Sequence, residues 1–331
     1  MNNTSIDFTS FTQTILKNLQ EKLGSNYKVF SHCVIKNNGV ELTGVVAKHK
    51  GRSASPTIYI NSYFKNDITK EEVEKISNDL FQEFQAVEFE TDLDLSDFTM
   101  FERAQKRLAF KLIHAEKNKE LLKTVPHKRF HNLAIVFYYT VDQEPFHGKA
   151  AILVHNSHME KWGVRVEELL EISFQNTPLL YPSTITNMAD VMKEILTEGL
   201  RQDISDARLR ESGELFDENW IEELIDQMST NTGREKIPMY VLTNKKKLYG
   251  AACMLYPEVL KNFSKKLGQD FYILPSSVHE VILVPVNSEA DQESLREIVT
   301  DINRTQVAEE EILADSVYFY NRTLDKILWL S

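Results

Sequence analysis

FYILPSSVHEVILVPV, residues Phe271 to Val286, is the segment that constrains the fold of this chain most. Two apolar runs, Phe271–Leu274 and Val278–Val286, flank a break at Pro275-Ser276-Ser277. Val278, Val281, Ile282, Leu283, Val284 and Val286 make the second run β-branched and almost continuously apolar, the pattern of a strand covered on both faces. Val278–Val286 is therefore expected to be a central strand. His279 and Glu280 are the polar pair inside it, and as neighbours on a strand they should point to opposite faces.

Working outward, Met239–Thr243 and Leu248–Leu255 read as strands around the basic turn Asn244–Lys247. Pro257–Leu267 reads as a helix with Gly268 as its stop. Ser288 should cap a helix with Leu295, Ile298, Val299 and Ile302 on one stripe; a short helix over Val307–Ala314 and a hairpin of Val317–Tyr320 with Lys326–Leu330 follow. Upstream, the spacing predicts a helix over 97–115, a short helix or turn at Lys117–Thr124, and strands at Leu133–Val141 and Lys149–His155. A helix from Val166 to about Pro178, an extended piece Leu179–Pro182 and a helix over 188–196 come next. Residues 6–23 form an amphipathic helix stopped by Gly24. Phe30–Ile35 and Val40–Ala47 are joined by the turn Asn37-Asn38-Gly39, Thr57–Tyr63 is a third strand, and Thr69 with Glu72 opens a capped helix over 69–85.

Hairpin turns rather than regular strand–helix alternation imply an α+β fold: repeated small, mainly antiparallel sheets with helices packed on one face. The expected organisation is an N-terminal unit over 1–115, a middle module over 116–198, an acidic helical connector over 199–237 and a C-terminal module over 238–331. An internal echo runs through it. Residues 135–183 and 239–277 each read strand, turn, strand, helix, short extended piece, with Leu180-Tyr181-Pro182-Ser183 matched by Ile273-Leu274-Pro275-Ser276.

A net charge of −11 over 331 residues disfavours a broad nucleic-acid surface, though it leaves room for a local basic patch. Cys33 and Cys253 lie far apart with no metal-ligand spacing, as free thiols in a reducing compartment do. The N-terminus lacks the basic start and apolar run of a signal peptide, and no stretch reaches the ~20 apolar residues of a membrane span. A cytoplasmic protein is expected, with no membrane partner.

The histidines are the unusual feature. His127 and His131 flank a Pro126-led turn, His155 and His158 end a strand in HNSH, and His279 with Glu280 opens the most apolar strand. Strand ends are where sites gather in α/β folds, and imidazole with carboxylate suits a transition metal, His155 and His158 being the metal candidates. The plainer reading is that each histidine is hydrogen-bonded on its own, since no spacing matches a diagnostic motif. Ser276-Ser277 before His279 lacks the elbow of a serine nucleophile and reads as a Pro-Ser turn. No G-x-G-x-x-G and no P-loop run is present, so no cofactor is assigned. Lys128-Arg129-Phe130, and Lys245–Lys247 with Tyr249, combine basic and aromatic residues as nucleic-acid contacts do, but isolated turns of this kind more often simply face solvent.

The succession VPHKRFHNLAIVFYY (125–139), VHNSHMEKWG (154–163), QNTPLLYPSTITNM (175–188), MYVLTN (239–244), YGAACMLY (249–256) and FYILPSSVHEVILVPV (271–286) resembles an uncharacterised bacterial family. That family is a domain of unknown function, abundant in Gram-positive gut anaerobes and near their mobile elements. The resemblance implies a bacterial cytosolic setting and transfers no functional residue. The sequence leaves two functions open: a non-catalytic interaction or regulatory protein with protein partners, or a metal-assisted hydrolase drawing on some of His127, His131, His155, His158 and Glu280.

Overall fold

Phe11, Ile15 and Leu19 recur at three and four residues, and in the computed structural model all three are fully buried on one face of α1 (Phe8–Leu23). The structure describes residues 6–51, 55–86, 95–141, 150–191, 193–194, 238–275, 277–286 and 292–330. Asp7 caps α1 by accepting from the Ser10 N–H at 2.7 Å, and Gly24 ends it at φ 75°. β1 (Tyr27–Ile35) and β2 (Glu41–His49) pair antiparallel, with Asn38 and Gly39 at positive φ in the turn. β3 (Thr57–Tyr59) joins the other edge of β2. It is shorter than its sequence suggests, because Asn61–Tyr63 turns into a 3-10 helix and the Asn61 side chain takes over the Thr43 N–H at 2.7 Å. Thr69 and Glu72 open α2 (Lys70–Ala86) with a reciprocal capping box at 2.8 and 3.2 Å. Val73, Leu80 and Phe84 of α2 join the α1 stripe over Val45 and Ala47 of β2 in one apolar core. These elements belong to the first of two units, residues 1–106 with 139–152; the second holds 107–138 and 153–331.

The helix expected over 97–115 does not form. Ser96–Thr99 (α3) and Phe101–Ala104 (α4) are single turns, and Leu108–His114 is strand β4. Leu108, Ala109, Phe110, Leu112 and Ile113 are all buried, so the strand is covered on both faces and its apolar run also satisfies a helical spacing. After α5 (Lys119–Leu122), the chain forms β5 (His127–Phe130), β6 (Leu133–Val141) and β7 (Ala150–Leu153). β6 lies between β4 and β5, with β7 also paired to it, and all nine of its residues are buried. The Pro126 turn of the sequence reading is thus strand β5, antiparallel to β6. HNSH opens a helix, α6 (Asn156–Trp162), that the sequence reading lacked.

α7 (Val166–Leu180) runs through Pro178, where an earlier stop was expected, so only Tyr181-Pro182 of the supposed extended piece lies outside it. Its last turn is tied to β4: Asn176 Nδ2 donates to the Leu108 carbonyl at 3.2 Å and the Phe110 N–H donates to Thr177 Oγ1 at 3.1 Å. These bonds hold the turn together where proline supplies no N–H.

The C-terminal sheet has the order β13-β12-β10-β11-β9-β8, with every neighbour antiparallel. Its strands are β8 (Ser183–Asn187), β9 (Tyr240–Asn244), β10 (Phe271–Leu274), β11 (Val281–Pro285), β12 (Val317–Asn321) and β13 (Lys326–Leu330). β10 and β11 are the central pair, and Val281, Leu283 and Val284 of β11 are fully buried, as the opening motif implied. The strand starts later than expected, however. Val278 and His279 form a bend and Glu280 follows it before the strand begins, so His279 and Glu280 are not strand neighbours.

Gly250–Leu255, expected as strand, is a buried 3-10 helix, because both edges of β9 are already occupied by β8 and β11. The internal echo therefore breaks at its second strand. α8 (Val259–Leu267) ends at Gly268, φ 82°, and packs Phe263 edge-on against Phe271. α9 (Gln292–Gln306) packs Leu295 and Val299 on Leu274, Val284 and Val317. Only half of its predicted stripe is buried: Ile298 and Ile302 stay 46% and 42% exposed. Val307–Ala314 reduces to a 3-10 turn at Glu309–Glu311. The expected connector over 199–237, the end of the helix over 188–196 and the Ser288 cap lie outside the described residues.

A Cβ on Gly250 would overlap Thr243 Oγ1 and the His279 carbonyl oxygen. Gly250→Ala is expected to lower stability by about 1–3 kcal/mol, the usual range for overpacking. Urea denaturation measures it, and an unchanged midpoint would show that the 3-10 helix does not press on β9.

Candidate functional site

The sequence-predicted residues fall in separate places. His155 and His158 come together at the start of α6, with rings 5.7 Å apart, and there they act as a cap: the His155 N–H donates to His158 Nδ1 at 3.1 Å. Burial, then His155 and Lys161, hold His158 below the usual imidazole range. His127 Nδ1 lies 3.1 Å from the Val125 carbonyl at the start of β5. His131 occupies the β5–β6 turn at φ 53°, its Nε2 3.3 Å from the Ile327 carbonyl and its ring among Phe130, Tyr318 and Trp329. Glu280 lies between the Val278-His279 bend and β11. Among the described residues no three His, Cys, Asp or Glu side chains are grouped to hold a metal. These placements lend no support to the hydrolase reading.

His279 belongs to a different constellation, centred on Tyr249. Gly250 must lie against the backbone of β9 and of the His279 bend, which puts Tyr249 at φ 53° and Lys247 at φ 51°, a left-handed conformation unusual for side chains of this size. The Tyr249 N–H donates to His279 Nδ1 at 3.2 Å, and the two rings lie nearly parallel, 13° and 5.7 Å between centroids. His279 Nε2 faces Glu311 at 3.6 Å, and its side chain is 27% exposed, less enclosed than a strand-start histidine would be. Lys111 of β4 reaches over the Tyr249 ring, with Nζ 4.0 Å from its centroid, and Tyr138 meets that ring edge-on at 5.2 Å. Lys246 stands 5.2 Å over the buried Tyr181. Lys245–Lys247 and Tyr249 were noticeable in the sequence as a basic turn beside an aromatic. Lys111 was not, although its signal is there as the one charge in LAFKLI.

A second feature is apolar. Leu328 pairs with Phe319, and the Phe319 ring meets Tyr272 at 5.6 Å, making a row across β13, β12 and β10. Alternation along β13 puts Leu328 on the face of Leu330, the face that α9 covers with Leu295 and Val299. Leu328 is 37% exposed there, and Ile298 and Ile302 of α9 are exposed one turn apart.

The family model described as "Family of unknown function (DUF5688)" matches residues 8–322. The chain belongs to the DUF5688 family. The motif resemblance thus becomes membership, and the DUF5688 description carries no activity. No curated protein and no solved structure matches the chain.

Among the described residues of this DUF5688 chain, two histidines accept hydrogen bonds from backbone N–H groups while held below their usual value. Besides His158, His114 accepts from the Lys117 N–H at 3.1 Å; burial lowers it first and Lys117 next, against opposing pulls from Asp315 and Glu116. A depressed folded value means that the unfolded chain binds these protons more readily. Their contribution is complete above the unfolded value of 6.5 and is lost as pH falls from there through the lower folded values. The thermal midpoint should therefore fall between about pH 7 and about pH 5.5. A His114→Asn, His158→Asn variant, whose Oδ1 replaces the accepting nitrogen without titrating, should flatten that slope. An equal slope in the variant would assign the dependence to other groups.

Proposed function

We propose that this DUF5688 chain is a non-catalytic interaction protein of the cytoplasm, which docks a protein partner on the open part of the C-terminal sheet and α9. The observation that carries this reading is the exposure of Leu328, at the outer end of the row Tyr272, Phe319, Leu328, together with that of Ile298 and Ile302 on the helix that covers the same face. Isolated exposed apolar residues are ordinary, but three on one layer of sheet and helix are what a protein partner covers. The histidines add support. His127, His131, His158 and His279 each spend a ring nitrogen on a backbone group, as structural histidines do, rather than presenting it to a reacting atom.

The test is an Ile298→Asp, Leu328→Asp variant. Both positions are more than a third exposed, so the fold should persist with a thermal midpoint close to the wild type. Cross-linking in the native host should give the wild type a discrete protein adduct that this variant lacks. An adduct formed equally by both would remove this surface from the proposal.

A further inference from the structure

Lys111 is a half-buried ammonium on a strand whose other central residues are fully covered. Among the described residues it meets no carboxylate and no hydrogen-bond acceptor, and its Nζ lies over the face of Tyr249. A π face offsets only part of what an ammonium loses on leaving water. Lys245 and Lys247, in the turn that leads from β9 to Tyr249, likewise have no ion pair among the described residues. The chain as a whole carries a charge of −11, so this concentration of cations runs against its average.

The turn is also built rather than loose. Asn244, 1% exposed, accepts the Lys246 and Leu248 N–H groups at 3.0 and 3.3 Å and donates to the Leu248 carbonyl at 2.7 Å. The Lys247 N–H closes the turn on the Asn244 carbonyl at 2.8 Å, and the Lys245 N–H is held by the Pro182 carbonyl at 3.0 Å. Lys247 and Tyr249 keep left-handed backbone inside it, and the Tyr249 hydroxyl has no hydrogen-bond partner among the described residues. Strain maintained by a buried polar anchor preorganises the side chains it presents.

We propose that Lys111, the Lys245–Lys247 turn and the Tyr249 hydroxyl form a site for the phosphate group of a small phosphorylated molecule. The ammonium groups of Lys111, Lys245 and Lys247 supply charge-assisted hydrogen bonds to the phosphate oxygens, and the phenol supplies a neutral donor. His279 is a positioning residue: by accepting the Tyr249 N–H it fixes where that ring stands. The geometry favours one phosphate over a nucleic-acid strand. A strand needs open aromatic platforms along a basic groove, whereas Tyr249 already carries Lys111 and His279, and Tyr181 is 1% exposed. This site is independent of the docking surface proposed above.

The experiment is titration calorimetry of the full chain with inorganic phosphate at constant ionic strength, comparing wild type, Lys111→Met, Lys247→Met and a remote control, Lys48→Met. Methionine keeps the apolar stem over Tyr249 while removing the charge, and the exposed Lys247→Met folds whatever Lys111→Met does. Saturable binding weakened by about tenfold or more in both site variants, and unchanged in the control, is the expected result. Absence of saturable binding, or equal loss in the control, overturns the proposal. A single-stranded oligonucleotide that binds more tightly than phosphate and weakens in the same two variants overturns it as well, in favour of nucleic acid.

Discussion

A contact that tolerates no side chain sets much of the C-terminal unit: Gly250 lies directly against Thr243 and the His279 carbonyl. Thr243 Oγ1 donates to that carbonyl at 2.7 Å, the Ala251 N–H reaches the Val278 carbonyl at 3.3 Å, and Cys253 Sγ donates to the Thr243 carbonyl at 3.3 Å. Burial pushes the Cys253 thiol up to about 12, so it remains a protonated donor. The bend before β11, strand β9 and the 3-10 helix are thereby locked together. The left-handed backbone of Tyr249 and its bond to His279 follow from that lock, so the most distinctive surface constellation is a by-product of core packing.

Around this lock the sheet is layered. α9 closes one face through Leu295 and Val299, while Phe263 of α8 packs on Phe271, whose side chain alternates to the other face. Each fully buried aliphatic side chain of β11 contributes about 1.5–3 kcal/mol. Polar links extend the order outward: the Tyr256 hydroxyl donates to the Tyr181 carbonyl at 3.2 Å, and the Tyr318 hydroxyl donates to Asn132, which donates in turn to Ser316 at 2.9 Å. What the packing leaves exposed, Leu328 of β13 with Ile298 and Ile302 of α9, is apolar, and the proposed docking surface is drawn from that imbalance.

The histidines illustrate how a residue type suggests chemistry that its surroundings do not provide. In HNSH, two imidazoles three residues apart look like ligands. The backbone needs acceptors at a helix start, and His158 Nδ1 meets that need at 3.1 Å. His114 does the same for a turn. A capping role and a ligand role need the same spacing, so only the direction of the ring nitrogens separates them.

Periodicity and turn chemistry determined the elements whose stabilisation is local. Phe11, Ile15 and Leu19 marked α1, Asn37-Asn38-Gly39 the first hairpin, Thr69 with Glu72 the start of α2, and the β-branched run to Val286 the central strand. Tertiary structure alone decided the rest. Leu108–His114 is a strand because apolar layers cover both its faces, a condition under which helix and strand spacings coincide. Gly250–Leu255 is a 3-10 helix because β9 has no free edge to offer. The candidate site was legible only as a basic turn beside Tyr249; Lys111 and His279 reach it from other elements, more than a hundred and about thirty residues away along the chain, and chain folding rather than local pattern makes them neighbours.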